Sequence, residues 1–317
     1  MPRLFCAGLV FACFGALLSG CAAPSGAPRD ASVTRLPLII AHRGGTGDAP
    51  ENTLEAIRLA VEHHADAMWL TVQLSKDGVP VLYRPEDLSA LTDASGPVAG
   101  RTAEELARVN AGWRFLAVDG HSYPYRQRPV GIPTLREALR AIPASMPVVL
   151  DMKALPAGPQ ADAVARVLSE ENAWSRATLY STEAAYQHSF AAYPQAKVFE
   201  SRDATRGRLV RVLLDQGCID PPAEHASAAF EMHRSVTVVE KFTLGEGRSE
   251  VSATLWTPAT VACFRQRPDV HLVAIAVNNA EDYRAAACLG MDAVLADSPA
   301  KMAEIRARMT GALRCAK

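Results

Sequence analysis

Apolar runs of strand length and apolar positions at helical spacing alternate along most of this chain. Pro37 to Ala41 is a continuous apolar run, after which Leu54, Ile57 and Val61 recur at helical spacing with Glu55, Arg58 and Glu62 opposite. This predicts a strand followed by an amphipathic helix. Ala67 to Leu74, Val79 to Tyr83, Pro147 to Met152, Ala177 to Tyr180, Lys197 to Glu200, Val236 to Val239, Leu272 to Val277 and Ala293 to Leu295 read as further strands. Between them, Thr134 with Glu137 forms a capping box opening a helix over Leu135 to Ile142, and Thr257-Pro258 sets an N-cap before a first-turn proline. The tract from Ala99 to Gly131, with Trp113, Tyr123, Tyr125 and several arginines, keeps neither period and reads as a long excursion between strands. Strands alternating with helices over one uninterrupted stretch predict a single parallel (β/α)8 TIM barrel, with a doubly wound open sheet as the alternative.

The ends of the chain are built differently. Residues 1–20 hold one charge, Arg3, and an apolar run from Leu4 to Leu18, the pattern of a secretory signal and short for a spanning helix. Leu18-Ser-Gly-Cys21 resembles a bacterial lipobox, so Cys21 is expected to be acylated and to become the mature N-terminus; an ordinary cleaved signal or an uncleaved anchor is the alternative. Ala22 suits outer-membrane sorting, so the expected location is the periplasmic side of a bacterial envelope, with membrane contact through the lipid. Residues 21–35, rich in Ala, Pro, Ser and Gly, read as a flexible tether, followed by the barrel over 36–309 and a tail over 310–317.

Of seven cysteines, Cys6 and Cys13 leave with the signal. Cys218, Cys263, Cys288 and Cys315 remain in an oxidising compartment, where one or two disulfides in any of three full pairings, or four separate buried thiols, are open. The formal net charge of −1 points to no nucleic-acid partner, so phosphate binding has to come from local placement.

A parallel barrel presents its chemistry at the C-terminal ends of its strands. Those ends carry His42 and Arg43, Gln73 and Ser75, Arg84, Asp151 and Lys153, Glu200 to Asp203, Glu240 and Lys241, Asn278, and Asp297. Cationic and anionic groups in such a ring are what a phosphate or divalent-metal site needs. In Ala41-His-Arg-Gly-Gly-Thr-Gly-Asp-Ala-Pro-Glu-Asn-Thr-Leu54 a strand ends in His and Arg, a glycine-rich turn lets backbone N–H groups approach a ligand, and a helix starts near Asn52 with its positive end on the same side. Physics alone leaves open an anion cradle or a loop whose His and Arg only bond the helix start. His63 and His64 read as helix-end groups, and Asp297-Ser-Pro299 as a structural close of the last strand and start of the final helix.

The string His42-Arg43-Gly44 followed by Pro50-Glu51-Asn52-Thr53 resembles the N-terminal signature of the glycerophosphodiester phosphodiesterase family. Ala65-Asp66, Val72-Gln-Leu-Ser-Lys-Asp-Gly-Val-Pro-Val81, Ile132-Pro-Thr-Leu135, Asp151-Met-Lys153 and Gly290-Met-Asp-Ala-Val-Leu-Ala-Asp-Ser-Pro299 follow in the family's order. The resemblance implies a (β/α)8 barrel that hydrolyses glycerophosphodiesters to glycerol phosphate and an alcohol. It implies histidines after the first and third strands as general acid and base, and a divalent cation, Mg²⁺ or Ca²⁺, held by three carboxylates. On this alignment His42 is the first histidine, Arg43 the phosphate-side arginine and Lys153 the fourth-strand lysine.

The departures fall on the chemistry. The family's Glu-x-Asp pair lands on Trp69 and Thr71, its second histidine on Arg84, the Asp after that on Pro85, and its fourth-strand glutamate on Asp151. Asp151, with Glu51 as a weaker candidate, is left to hold a hard cation, which prefers several anionic oxygens. Trp69, Thr71 and Gln73 share one strand face by period two. If that face points inward, the indole fills volume that a metal and its waters would occupy. Arg84 cannot act as a base but binds phosphate well. Ile275 and Ala276 stand where the family has Trp and Thr, which alters the pocket wall.

Two functions follow as expectations. One is a phosphodiesterase with weakened or altered metal chemistry, using His42 and Lys153 as catalytic groups and Arg43 and Arg84 on the phosphate. The other is a non-catalytic envelope lipoprotein that binds a phosphate-bearing head group or a protein partner.

Overall fold

The computed structural model describes residues 35–309, Leu313 and Cys315; the signal, the Cys21 acylation site and the tether up to residue 34 lie outside the described residues. Seven strands run parallel: β1 (Leu38–His42), β2 (Ala67–Leu74), β4 (Val148–Met152), β5 (Ala177–Tyr180), β6 (Ser227–Glu231), β9 (His271–Ile275) and β10 (Ala293–Ala296). Their order is β5-β4-β2-β1-β10-β9-β6, and β3 (Pro80–Leu82) pairs antiparallel with β2. Residues 197–200 join the two edges. Leu179 N–H donates to Lys197 C=O at 2.8 Å, Phe199 N–H to Leu179 C=O at 2.9 Å, and Glu200 N–H to Ser227 C=O at 3.0 Å. With this short eighth stave the ring closes as the expected (β/α)8 barrel.

Period two sorts the side chains into layers. Ile40, Trp69, Val149, Tyr180, Phe199, Ala229, Val273 and Leu295 pack inside the ring. The alternate residues, such as Met68, Leu70 and Leu150 on one side and Ile39, Leu272 and Val294 on the other, pack against the surrounding helices. Those helices are α1 (Leu54–Glu62), α3 (Leu135–Ala141), α4 (Ala157–Glu170), α5 (Ala185–Phe190), α6 (Arg202–Leu213), α7 (Pro258–Phe264), α8 (Ala280–Cys288) and α9 (Pro299–Arg308). The capping box expected at Thr134 and the N-cap expected at Thr257 are both formed. The excursion after β3 holds α2 (Ala103–Ala107) and a small core of its own, with Tyr83, Leu88, Val98, Leu106 and Ile132. No helix among the described residues is long and apolar enough to cross a membrane.

One strand was misplaced by the sequence pattern. Val236 to Val239 belongs to β7 (His233–Phe242), which pairs antiparallel with β8 (Gly245–Thr254) in an exposed ribbon outside the barrel sheet. The barrel stave is β6, whose Ser-Ala-Ala-Phe-Glu run is short and mostly small. Its inward residue, the small Ala229, packs in the interior with the aromatic side chains of Trp69, Tyr180 and Phe199. β-Branched residues thus mark an exposed ribbon here, and Glu240 and Lys241 sit on it, away from any barrel strand end. β9 stops at Ile275 because Ala276 is left-handed, with φ 64°.

Both pairs of late cysteines are bonded, Cys218 to Cys263 across 45 residues and Cys288 to Cys315 across 27. Closing loops of this length restricts the unfolded chain. The double substitution Cys218→Ser/Cys263→Ser should therefore lower unfolding free energy by about 2–4 kcal/mol, read as a shifted urea midpoint.

Candidate functional site

Barrel register brings the ends of β1, β2 and β4 side by side, with His42 opposite Trp69 and Thr71 opposite Asp151. On the other flank of β1, β10 delivers Asp297. The His42 Nδ1–H donates to Asp297 Oδ1 at 2.7 Å; because a carboxylate only accepts, the neutral ring keeps its lone pair on Nε2. Asn278 fixes the carboxylate in turn, donating from Nδ2 to Oδ2 at 2.7 Å and accepting the Asp297 N–H at 2.8 Å. The hydrogen bond from His42, aided by that from Asn278, holds the Asp297 carboxyl below the usual carboxylate range against the effect of burial. Ser298 does cap α9 and Pro299 opens it, as the sequence suggested. Asp297 itself is an orienting partner of His42, which the reading of this segment as structural missed. Its only sequence signal was its place at a strand end.

The turn after β1 is held in an unusual shape. Arg43 (φ 50°) and Asn52 (φ 59°) are both left-handed, a conformation that costs a non-glycine residue of order 1 kcal/mol or more. Three bonds hold it: Asn52 N–H to Arg43 C=O at 2.7 Å, the Arg43 guanidinium to Glu51 Oε2 at 2.6 Å, and Thr71 N–H to Asn52 Oδ1 at 2.9 Å. Gly45 (φ 105°) lets the same turn pass Pro299, whose Cδ would lie 3.0 Å from an added Cβ. The helix that follows begins at Leu54, with Thr53 as its N-cap.

Asp151 is buried beside Lys153, whose Nζ lies 2.9 Å from Oδ1. The approach angle is poor, so Oδ1 has charge contact but no hydrogen bond among the described residues. Burial pushes the Asp151 carboxyl up, outweighing the opposing pull of Lys153, Arg43 and His42. Glu51 Oε1, Asn52 Nδ2 and Thr71 Oγ1 are likewise buried without a partner. These four atoms gather where β1, β2 and β4 end. They give the site unspent hydrogen-bonding capacity.

The donor set does not fit a resident divalent cation. Glu51 and Asp151 are each already matched by a cation at 2.6 and 2.9 Å. Trp69 is buried with its ring 4.8 Å from Tyr180 and 5.7 Å from Phe199, so its face of β2 points inward and its indole fills the interior. Glu200 is taken by Arg208 and Thr205, and no cluster of three or more His, Cys, Asp or Glu able to hold a metal occurs among the described residues. Arg84 is exposed and makes no ion pair among the described residues; only its carbonyl is held, by Gln73 Nε2 at 3.2 Å. His42, Arg43, Glu51, Asp151 and Lys153 are thus brought together, with Arg84 outside their bonded network. His63 closes α1 as its C-cap, as expected.

Residues 42–301 match the glycerophosphoryl diester phosphodiesterase family. The uncharacterized protein Rv2277c of Mycobacterium tuberculosis is 46% identical over 299 residues, 94% of this chain and 97% of that one. The crystal structure of its glycerophosphoryl diester phosphodiesterase domain superposes with a TM-score of 0.80 at 46% identity, covering 86% of this chain and 100% of the domain. An Oleispira antarctica phosphodiesterase, solved with its product sn-glycerol-3-phosphate, shares the fold at 22% identity, with a TM-score of 0.63 over 86% of this chain and 97% of that one. The signature turn after β1, the closed barrel and these likenesses agree on a phosphodiesterase-type function, and the chain belongs to the glycerophosphoryl diester phosphodiesterase family.

Proposed function

We propose that this chain binds the phosphate of a glycerophosphodiester, or of a similar small phosphate diester, at the barrel mouth, and that its metal-dependent hydrolysis is strongly reduced. The observation that carries this reading is Trp69 and Thr71 in place of the Glu-x-Asp pair, beside an intact His42–Asp297 pair. His42 Nε2 faces the proton transfer, while Arg43 and Lys153, joined by Arg84 from the rim, neutralise the phosphate. The bound sn-glycerol-3-phosphate of the Oleispira phosphodiesterase supports a phosphate-bearing ligand for this fold. The non-catalytic reading is favoured by Arg84, which cannot stand in for a second histidine as acid and base. The envelope location and the acyl anchor at Cys21 belong to the same proposal.

Purified chain should turn over glycerophosphodiesters weakly, with Mg²⁺, Ca²⁺ and chelator making little difference, and His42→Ala should remove the remainder. Robust turnover that requires a divalent cation sinks the proposal. No turnover, together with saturable glycerol phosphate binding weakened by Arg84→Ala, selects the non-catalytic reading.

Restoring the missing groups as Trp69→Glu/Thr71→Asp/Arg84→His should lower the melting temperature without metal, since a buried tryptophan is worth about 3–5 kcal/mol against truncation. Added Ca²⁺ or Mg²⁺ should then raise the melting temperature of that variant and leave the parent unchanged.

Asp151 gives a pH test. Its folded value lies above the ordinary one, so folding takes up a proton between the two, and parent stability falls as pH rises from about 4 through the raised value. Asp151→Asn should melt like the parent below pH of about 4 and become relatively more stable as pH rises. A difference that stays constant across pH would show that the carboxyl is not raised.

A further inference from the structure

Among the described large apolar side chains, Leu244 (99%) and Val118 (97%) are the most exposed. Both stand at the tips of excursions that leave the barrel at strand C-terminal ends. Val118 belongs to the excursion between β3 and β4, whose Phe115 and Leu116 line a cleft of about 250 Å³ together with Thr46, Gly47 and Glu51 of the turn after β1. Leu244 lies in the turn of the β7–β8 ribbon, which starts just past Glu231 at the end of β6. Arg234 to Glu231 (3.2 Å) and His233 Nε2 to Asp282 (2.8 Å) tie the ribbon to the rim. Leu214 and Ile219 are also exposed, but they follow α6 at the opposite end of the barrel.

The two tips share the chemistry of a boundary between water and lipid. Residues 113–128 carry Arg114, Arg126 and Arg128 against Asp119 alone. The Arg126 guanidinium lies 3.8 Å from the Tyr123 ring centroid and 4.9 Å from that of Trp113, so cation and aromatic rings stand together behind the apolar tip. On the ribbon, period two gathers Val236, Val238, Phe242 and Val251 on one exposed face, interrupted by Arg234 and Glu240, with Thr237, Val239, Lys241, Arg248 and Glu250 on the other. A lone two-stranded ribbon is marginal in water, and apolar surface left open in this way marks an interaction site. A folded partner would bury one continuous patch. Two tips on either side of an open phosphate pocket suit a deformable lipid surface instead, and the excess of arginine at one tip suits anionic head groups.

We propose that the mouth end of the barrel docks on an anionic phospholipid bilayer, inserting Leu116 and Val118 and the turn from Phe242 to Leu244 while Arg114, Arg126 and Arg128 meet lipid phosphates. Docked in this way, the His42, Arg43 and Lys153 pocket opens onto the head-group layer. The contact is separate from any acyl group on Cys21 and does not depend on whether the pocket is catalytic.

The test uses the full chain with Cys6→Ser, Cys13→Ser and Cys21→Ser, and with Val118→Cys, Leu244→Cys or Leu214→Cys carrying an environment-sensitive fluorophore. Vesicles of phosphatidylglycerol and phosphatidylcholine should raise emission several-fold, with a blue shift, at 118 and 244 but not at 214, and added salt should weaken the response. The proposal is overturned by silence at 118 and 244, or by an equal response at 214. A response to monomeric lysophosphatidylcholine but not to vesicles also overturns it, by making the ribbon a trough for one lipid chain. Equal responses to pure phosphatidylcholine vesicles at high salt would remove the anionic surface from it.

Discussion

Residues 197–200 bond on both sides, to β5 through Leu179 and to β6 through Ser227, and turn an open parallel sheet into a ring. Closure fixes the curvature that sets β1 between β2 and β10, and with it the meeting of His42 and Asp297, which are 255 residues apart in sequence. The same segment sends Phe199 inward, 5.5 Å from Tyr180 and 5.7 Å from Trp69. Trp69 therefore serves two structural ends. It occupies a position where the family pattern places a carboxylate, and it is one third of the aromatic cluster that fills the barrel beneath the mouth. A carboxylate placed there alone would lose those contacts and bury a charge without a counter-ion, a combination cores rarely tolerate.

Above this cluster the charges come in pairs. Arg43 is matched by Glu51, Lys153 by Asp151, and His42 by Asp297. Beside these pairs, atoms of Glu51, Asn52, Thr71 and Asp151 remain without a hydrogen-bond partner among the described residues. Buried polar groups ordinarily find partners, and strained backbone persists where surrounding bonds over-determine it. Left-handed Arg43 and Asn52 lie within this network, consistent with a site shaped for a ligand at some expense to the fold.

The periodicity made most of the barrel legible, because burial on both faces gives β1, β2, β4 and β10 continuous apolar runs that need no tertiary information. It failed at β6. There the interior had already been filled by aromatic side chains, so the stave could be small, and Ser-Ala-Ala-Phe-Glu carries little strand signal. The β-branched run nine residues past its start belongs to a ribbon whose strands are exposed and whose apolar face has no partner among the described residues. At the site, His42, Arg43, Asp151 and Lys153 were legible from motif and strand-end position. The role of Asp297 was not, because nothing local in Asp297-Ser-Pro299 says that Oδ1 meets an imidazole on the first strand. Contacts between the two ends of a chain become visible only when the ring is closed.

The departures from the family pattern form a balanced set. A divalent cation brings two positive charges, and the Glu-x-Asp pair that would help hold it brings two negative ones. Deleting all three leaves the charge facing an incoming phosphate unchanged, and placing Arg84 where a neutral histidine would stand and Pro85 where an aspartate would stand makes it more positive by two. Attraction for an anion is therefore the property best preserved by these substitutions. On the proposed reading, what goes is the polarising power of a metal and the second group able to pass a proton, and both matter more in the transition state than in the bound ground state. On that reading the site would keep affinity while losing rate. That is why binding of a phosphate ligand and turnover of a diester are separate measurements on this protein.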